Sequence, residues 1–326
     1  MAVEYDYELR GQSWKEFTVF NSLLDSARGS QAQRLCVVAP DDDIDNLSAI
    51  RESMELGLIC DPVLIGDREK TILSLDTVGI DEKDVEIVAC SDWSDAANRA
   101  ARLVGHGEAD ILAKGKIPTA QLLRAVLNPA NGLRRTGEGE ENRLISHLAL
   151  FDVESIPRIM GVTDAGVNIA PGYEAIRDIV RNAAEVFRIV LGRTPRVAML
   201  AALEKVNESM PATVMARRLQ EAAEQGELGD VLVEGPLSLD CAVDERAARG
   251  KGVAGQVAGR ADVLVAPDIQ AGNIAAKSIM YFARGIMAGI LVGTRAPVIV
   301  NSRVDVPAAR VASILCAVVL AQGASR

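Results

Sequence analysis

Reactive side chains in this 326-residue chain gather directly after short apolar runs. Lys114-Gly115-Lys116 follows Asp110–Ala113, and Thr163-Asp164, with Asn168 close behind, follows Arg158–Val162. Glu234-Gly235-Pro236 and then Asp240 follow Val231–Val233, while Pro267-Asp268 and Asn273 follow Val263–Ala266. Val298–Val300 leads into Asn301-Ser302-Arg303-Val304-Asp305, which sets a hydroxyl, a guanidinium and a carboxylate side by side. Ligands of open α/β sheets bind outside the carboxyl ends of the strands, so clusters at several such ends predict one shared cleft. Lysine offers an oxyanion a point charge and arginine a bidentate fork. The chemistry predicted for the cleft is therefore recognition of a phosphorylated or otherwise anionic substrate.

The elements that must position these residues are legible as a rhythm. Besides the five runs above, Leu35–Ala39, Pro62–Ile65, Val85–Val88, Leu148–Phe151, Arg196–Leu200 and Gly289–Val292 read as strands. Runs such as Val-Leu-Val-Ala at 263–266 are apolar on both faces, as a strand buried between helix layers must be. Asp45–Leu56, Ser94–Val104, Thr119–Leu127, Tyr173–Val190, Ala212–Glu224 and Pro307–Ala321 carry helical periodicity. Strand–helix alternation over most of the chain predicts a largely parallel α/β sheet with right-handed crossovers. Asn128–Asn142, rich in Gly and charge, breaks the rhythm and marks a domain crossing or a mobile loop. The length fits two domains or one large α/β unit.

Composition narrows the partners. Lys plus Arg is 35 against 45 Asp plus Glu, a net charge of −10. A chain this acidic does not wrap nucleic acid or hug an anionic membrane by bulk charge. An anionic ligand must be caught locally. The acidic start, Met1 to Glu8, lacks the basic-then-apolar layout of a signal peptide, and apolar runs such as Ile314–Ala321 are far below a membrane span. A cytoplasmic protein is expected. The five cysteines are scattered, with no C-x-x-C pair, and read as apolar fillers in a reducing compartment. Tyr5, Tyr7, Trp14, Phe17 and Phe20 crowd the first twenty positions, a cluster suited to docking on a core or a subunit partner.

Other motifs carry less. Gly250-Lys-Gly-Val-Ala-Gly255 matches the dinucleotide pattern in letters, but it follows a helical stretch and leads toward a strand, the reverse of what that mechanism needs. Asp240 and Asp244 have a spacing that could hold a divalent metal, although an Asp placed before a helix, as Asp240 is, more commonly caps it. His106 and His147 each sit beside a strand or turn, where a structural role outweighs a catalytic one.

Ordered blocks add a further layer from about Asp110 to Leu320. These are Leu112-Ala-Lys-Gly115, Leu122–Leu127, Gly132-Leu-Arg134, Ile145-Ser-His147 and Thr163–Pro171. Then come Glu204-Lys-Val-Asn207 with Met210–Thr213, Glu234–Leu237 with Leu239-Asp240, and Ala258–Asp262. Pro267-Asp268 with Ala271–Asn273, Gly293 with Ala296-Pro297, and Ser302-Arg303 with Asp305 complete the series. In this order they make the chain resemble the phosphate acetyl/butyryltransferase family. The resemblance implies acyl transfer between coenzyme A and inorganic phosphate, with coenzyme A as a substrate, no bound cofactor and no metal. It also implies a fold similar to isocitrate and isopropylmalate dehydrogenases. Two α/β domains with mainly parallel sheets would flank an interdomain active-site cleft, the first formed by 1–145 plus 288–326 and the second by 146–287. A homo-oligomer is expected.

By the same resemblance the Ser-Arg pair of the family maps onto Ser302-Arg303. The chemistry suits them: Arg303 to grip phosphoryl oxygens, Ser302 to donate to a developing oxyanion, and Asp305 to take the thiol proton. Asp305 also precedes Val306-Pro307 and could cap the last helix instead. In the acetyl branch the catalytic carboxylate lies further on, where this chain has Ala308 and Ala309; Gln270 and Cys241 depart from the family's usual Glu and Asn. Asp268, Asn273, Lys277, Asp164, Asn168, Asp240 and Lys114 are the candidates for substrate and phosphate contact. Asn273 is as well suited to capping a helix, and Lys114 to solvation in a loop. Gly132-Leu-Arg134 and the chain length lean toward the butyryl branch. A metal-dependent hydroxy-acid dehydrogenase of the same fold and a non-catalytic acyl-CoA or acyl-phosphate binding protein are the alternatives.

Overall fold

Eleven apolar runs become eleven strands of one continuous sheet in the computed structural model, which describes residues 13–135, 143–302 and 304–324. β1 (Gln33–Val38), β2 (Ile59–Gly66), β3 (Glu86–Ala89) and β4 (Ile111–Lys114) come first. They are followed by β5 (Ser146–Val153), β6 (Ile156–Thr163), β7 (Arg196–Leu200) and β8 (Leu232–Leu237). β9 (Val263–Val265), β10 (Ile286–Val292) and β11 (Val298–Ile299) complete the set. Every predicted strand is present, with ends displaced by a few residues.

The order across the sheet is β3-β2-β1-β4-β11-β10-β5-β6-β9-β7-β8. From β3 to β11 all neighbours are parallel, and so are β6, β9, β7 and β8. Between these blocks lie three antiparallel pairings: β11 with β10, β10 with β5, and β5 with β6. Three reversals leave β6, β9, β7 and β8 running opposite to β1–β4 and β11. The register nevertheless brings the two sets of carboxyl ends to one level, since Thr163 lies across from Leu148, Leu148 from Ile290, and Ile290 from Ile299. A strand's apolar pattern reads the same in either direction, so the sequence does not show that these ends approach one another from opposite sides.

The helices before β5 are α1 (Asn21–Arg28), α2 (Ile44–Glu55), α3 (Arg68–Val78), α4 (Trp93–Gly105) and α5 (Thr119–Leu127). Between β6 and β10 lie α6 (Tyr173–Leu191), α7 (Pro211–Glu224), α8 (Leu239–Val243), α9 (Glu245–Gly250) and α10 (Ile269–Phe282). α11 (Pro307–Ala324) follows β11. α3 escaped the periodicity reading, yet Asp67 caps its start and Gly79, at φ 75°, ends it in the left-handed region, both sequence-readable signals. α9 ends at Gly250, so the Gly-rich loop there follows a helix and approaches β9, the reversed context anticipated above.

Alternation along the strands divides the interior unevenly. Leu35 and Val37 of β1, Leu148 and Leu150 of β5, and Ile290 of β10 join one core that runs along a whole face. α11 is apolar almost all round and buried within it, as such a helix must be. The opposite face carries two separate cores. One packs α4 and α5 against Cys36, Leu112 and Leu291, and the other packs α8 and α10 against Ala149, Phe151 and Met287. Gly289 sits on that face between Leu291 and Met287, so the groove between the two cores crosses β10 where there is no side chain.

The aromatic start docks inward. Phe17 and Phe20 are buried and meet edge to face at 5.6 Å, while Tyr5 and Tyr7 lie outside the described residues. The anchor is Asp152 of β5, fully buried, which accepts the Thr18 amide at 2.7 Å, the Phe20 amide at 3.0 Å and the Thr18 hydroxyl. Asp152→Ala strands the buried Phe20 amide, at about 1–3 kcal/mol for an unsatisfied buried group, and gives up the two bonds from the exposed Thr18, worth about 1 kcal/mol or less each. A stability loss of about 3 kcal/mol is expected in urea unfolding; a change under about 0.5 kcal/mol would show that this clasp does not hold the segment.

Candidate active site

β1 crosses to β2 on one side, while β4 pairs on its other side. The gap beyond their carboxyl ends is a topological switch point, where open α/β sheets place their ligands. Gly115 makes it tight: a Cβ there would lie 2.2 Å from the Ala39 carbonyl oxygen. Without one, the Gly115 amide donates to Val38 O at 2.8 Å and the Lys116 amide to Ala39 O at 2.9 Å. β11 pairs with β4, so Asn301 and Ser302 emerge beside Lys114. A cavity of about 520 Å³ opens here, lined by Lys114, Lys116, Asn301, Ser302 and Arg310. Asp42, Asp43 and Asp45 at the start of α2, and Trp93 at the start of α4, line it as well.

Asp305 is 5% exposed and stands behind Ser302. Its Oδ2 accepts the Ser302 amide at 2.7 Å, while Oδ1 is buried with no hydrogen-bond partner among the described residues. The amide it accepts belongs to the preceding loop and not to α11, so the loop-bracing bond takes the place of the helix cap. Burial pushes its carboxyl above the ordinary 3.8, opposed first by the Ser302 amide and then by Lys277, Arg310 and Lys114. Ala308 and Ala309 are wholly buried in the core, leaving Asp305 as the carboxylate of this stretch. Lys114, itself buried, donates from Nζ to Gly115 O at 3.1 Å, so it is not a solvated loop lysine.

The structure thus brings Ser302, Asp305 and Lys114 together, with Lys277 of α10 close enough to act on Asp305 electrostatically. Arg303 lies outside the described residues. Arg310 was missed by sequence reasoning, although a lone Arg in the apolar run Pro307–Gln322 is a signal; it is buried with Nη1 3.8 Å from the Asp43 carboxylate.

A second group of candidates sits at the carboxyl end of β6. Asp164 accepts the amides of Gly166, Val167, Asn168 and His147, and Asn168 Nδ2 at 2.5 Å. Asn168 also donates to Ile145 O at 3.1 Å. These two side chains therefore shape the 164–168 loop with their polar atoms. Asp268 caps α10 by accepting the Ala271 amide at 2.9 Å, so Asn273 is not the cap; it donates to Ala165 O at 3.2 Å. His147 lies beside Gly289 on the groove floor, and burial lowers its pKa, Asp164 opposing and Lys277 adding to the shift.

Asp240 stands apart. It follows β8, six strand positions from β11, roughly 30 Å across the sheet at about 4.8 Å per strand. Ser238, not Asp240, occupies the N-cap position of α8. Asp240 accepts Ser238 Oγ at 2.6 Å and Lys251 Nζ at 2.9 Å, and Lys251 also meets Glu204 at 2.9 Å. Ser238 and then Lys251 hold both carboxyls down at about 2. Glu204, Asp240 and Cys241 are close enough to ligate a metal, but the Lys251 ammonium already sits against both carboxylates, and Asp244 caps α9. The residues do not fit the metal set that the dehydrogenase alternative requires.

Comparison with known proteins identifies the family. The family model described as "Phosphate acetyl/butaryl transferase" matches residues 88–321. Phosphate butyryltransferase of Clostridium acetobutylicum is 37% identical over 303 residues, covering 93% of this chain and 98% of that protein. Phosphate acetyltransferase of Rhizobium meliloti is 36% identical over 307 residues, covering 94% of each. The crystal structure of a branched-chain phosphotransacylase from Enterococcus faecalis superposes with a TM-score of 0.77 at 29% identity, covering 89% of this chain and 99% of that one. With its family model spanning well over half its length, this chain belongs to the phosphate acetyl/butyryl transferase family.

Proposed function

We propose that the chain transfers a short acyl group, acetyl or butyryl, between coenzyme A and inorganic phosphate in the cavity beyond β1, β4 and β11. The observation that carries this is the meeting of Ser302, Asp305 and Lys114 at the switch point, in a chain of this family. In the direction of acyl-CoA synthesis the thiol sulfur attacks the acyl carbonyl carbon, and the thiol proton passes to Asp305. The oxyanion that forms is met by the Ser302 hydroxyl. As the carbonyl re-forms, the carbon–oxygen bond to the phosphoryl group breaks and phosphate leaves. A buried carboxylate with a raised pKa is a better base for a thiol near 8.5 than an ordinary one, because the two values lie closer. Lys114 and Lys277 supply positive potential, and Arg303 grips the phosphoryl oxygens.

Two lobes, 1–145 with 288–326 and 146–287, are proposed to flank the groove at Gly289. The contiguous strand blocks and the divided second core support this division. The reaction needs no resident metal or cofactor, a reading supported by Lys251 filling the carboxylate cluster. Asp268, Asn273, Asp164 and Asn168 act from the β6 end as a scaffold for the substrate loop. The protein is proposed to act in the cytoplasm as a homo-oligomer, supported by the exposed strip of Ile274, Tyr281 and Phe282 on α10. Among the described residues no helix is long and apolar enough to cross a membrane.

Phosphate-dependent release of free thiol from acetyl-CoA or butyryl-CoA, without added metal, is the expected activity; none at saturating phosphate would end this reading. Arg303→Lys should lower kcat at least about 100-fold, ~2.7 kcal/mol, because a point charge does not copy the guanidinium fork. A rise confined to KM for phosphate would instead mark uniform binding.

Asp305 gives a test through stability. A carboxyl whose folded pKa is raised binds its proton more tightly when folded, so its contribution is present below about 3.8 and is lost as pH rises through the raised value. Asp305→Asn does not titrate. The melting temperature of the variant relative to the native protein should therefore climb between about pH 3 and pH 7, while kcat falls at least about 100-fold. A melting difference that is flat with pH would remove the raised carboxyl.

A further inference from the structure

One imidazole on the groove floor is left without a task by this chemistry. His147 of β5 is partly buried, and its ring is held between two glycines. A Cβ at Gly166, in the 164–168 loop, would stand 3.4 Å from His147 Cγ, and one at Gly289 would stand 3.3 Å from Nε2. That second point is also 3.1 Å from Val300 O, and the Val300 amide donates to Gly289 O at 3.2 Å. Val300 leads straight into Asn301 and Ser302. Nε2 therefore borders the strand end that delivers the Ser302 hydroxyl. Lys277 acts on both His147 and Asp305, which sets the ring and the carboxylate around one ammonium.

The two ring nitrogens are not equivalent. Nδ1 is buried with no hydrogen-bond partner among the described residues. A buried N–H without an acceptor is rare and costly in folded proteins, so the single proton of a neutral imidazole goes to Nε2. Burial keeps the ring neutral, with Asp164 opposing and Lys277 adding to the effect. A neutral imidazole protonated on the nitrogen that faces a substrate polarises a carbonyl without protonating it.

We propose that His147 is a second donor to the acyl oxygen. Its Nε2–H, beside the bare backbone of Gly289, joins the Ser302 hydroxyl in meeting the acyl carbonyl oxygen as negative charge develops there. The proton stays on nitrogen throughout, and Asp305 remains the group that takes the thiol proton. The inference rests on the acyl-transfer reading. It also gives Gly289 a use, since a side chain there would crowd the face of the ring that carries Nε2.

The chain has two histidines, His106 and His147, so ¹⁵N-histidine labelling resolves their ring nitrogens by NMR, with His106→Gln assigning the pair. At about pH 7 His147 should be a neutral ring protonated at Nε2. Acetyl-CoA added without phosphate, so that no turnover occurs, should shift the Nε2 resonance, and free coenzyme A should leave it in place. A ring protonated at Nδ1, an imidazolium, or a resonance that acetyl-CoA moves no more than free coenzyme A does overturns the proposal.

Kinetics supply the second arm. His147→Leu should lower kcat at least about 100-fold, as loss of one oxyanion donor does, while KM for each substrate stays within about threefold. His147→Gln, whose amide restores an N–H donor, should recover at least about 10-fold of that loss. The leucine variant should melt no lower than the native protein, since it removes an unpartnered polar atom. Equal losses in both variants with lowered melting temperatures would mark a residue that only packs, and a loss confined to KM would mark uniform binding; either result overturns the assignment. If acetyl-CoA shifts Nε2 but the native protein transfers no acyl group, the activity reading fails while the contact stands.

Discussion

The pairing of β10 with β5 is the constraint on which the rest of the molecule depends. Ile286–Val292 lies antiparallel against Ser146–Asp152 in an unbroken register, joining segments more than a hundred residues apart. The ladder converts two blocks of parallel strands into one sheet and, with β5–β6, reverses the second block. It also brings the chain back toward the first block, so that β11 can pair with β4 and deliver Ser302 to the switch point. At its far end Ile286 faces Asp152, the carboxylate that holds the N-terminal segment. The same strand thus closes the core at one end and leads into the candidate site through β11.

Gly289 sets where the groove lies on that ladder. Side chains along β10 alternate between faces, and Met287 and Leu291 belong to different cores. A residue larger than glycine between them would meet Val300 O at 3.1 Å and the His147 ring at 3.3 Å. The backbone is bare there, and the two helix pairs on this face remain separate. α10 borders the groove and carries Lys277 between the β6 loop and Asp305, which is how a residue of the second block comes to act on a carboxylate beyond the first.

Charge is handled differently at the two carboxylate sites. Glu204 and Asp240 are matched by Lys251 and held far below their usual range in a solvated setting, where such pairs organise a loop and contribute little energy. Asp305 is buried, and its positive neighbours only partly offset the cost of that burial. A buried carboxyl pushed upward by burial is the kind that catalysis uses to take a proton, whereas one pushed down by a partnering ammonium and hydroxyl stays charged and organises its loop.

Much of this is legible in the sequence. Strands buried on both faces are continuous apolar runs, so their positions were fully exposed in the sequence, and the order of polar clusters after them pointed to Ser302, Asp305 and Lys114. Strand direction was not legible, because it is decided by long-range pairing and leaves no local mark. The sequence alone therefore placed Asp240 beside the other candidates, although β8 lies six strand positions from β11, while Lys277 comes within electrostatic reach of both Asp305 and His147. Nor could it show which polar atoms find partners. Asp164 is saturated by local amides and Asn301 has no partner among the described residues, yet both read as polar residues after a strand. What the residues by themselves determined was which segments are strands and which chemistry they carry; what only the tertiary structure decided was which of those ends meet, since that depends on pairing between segments far apart in the chain.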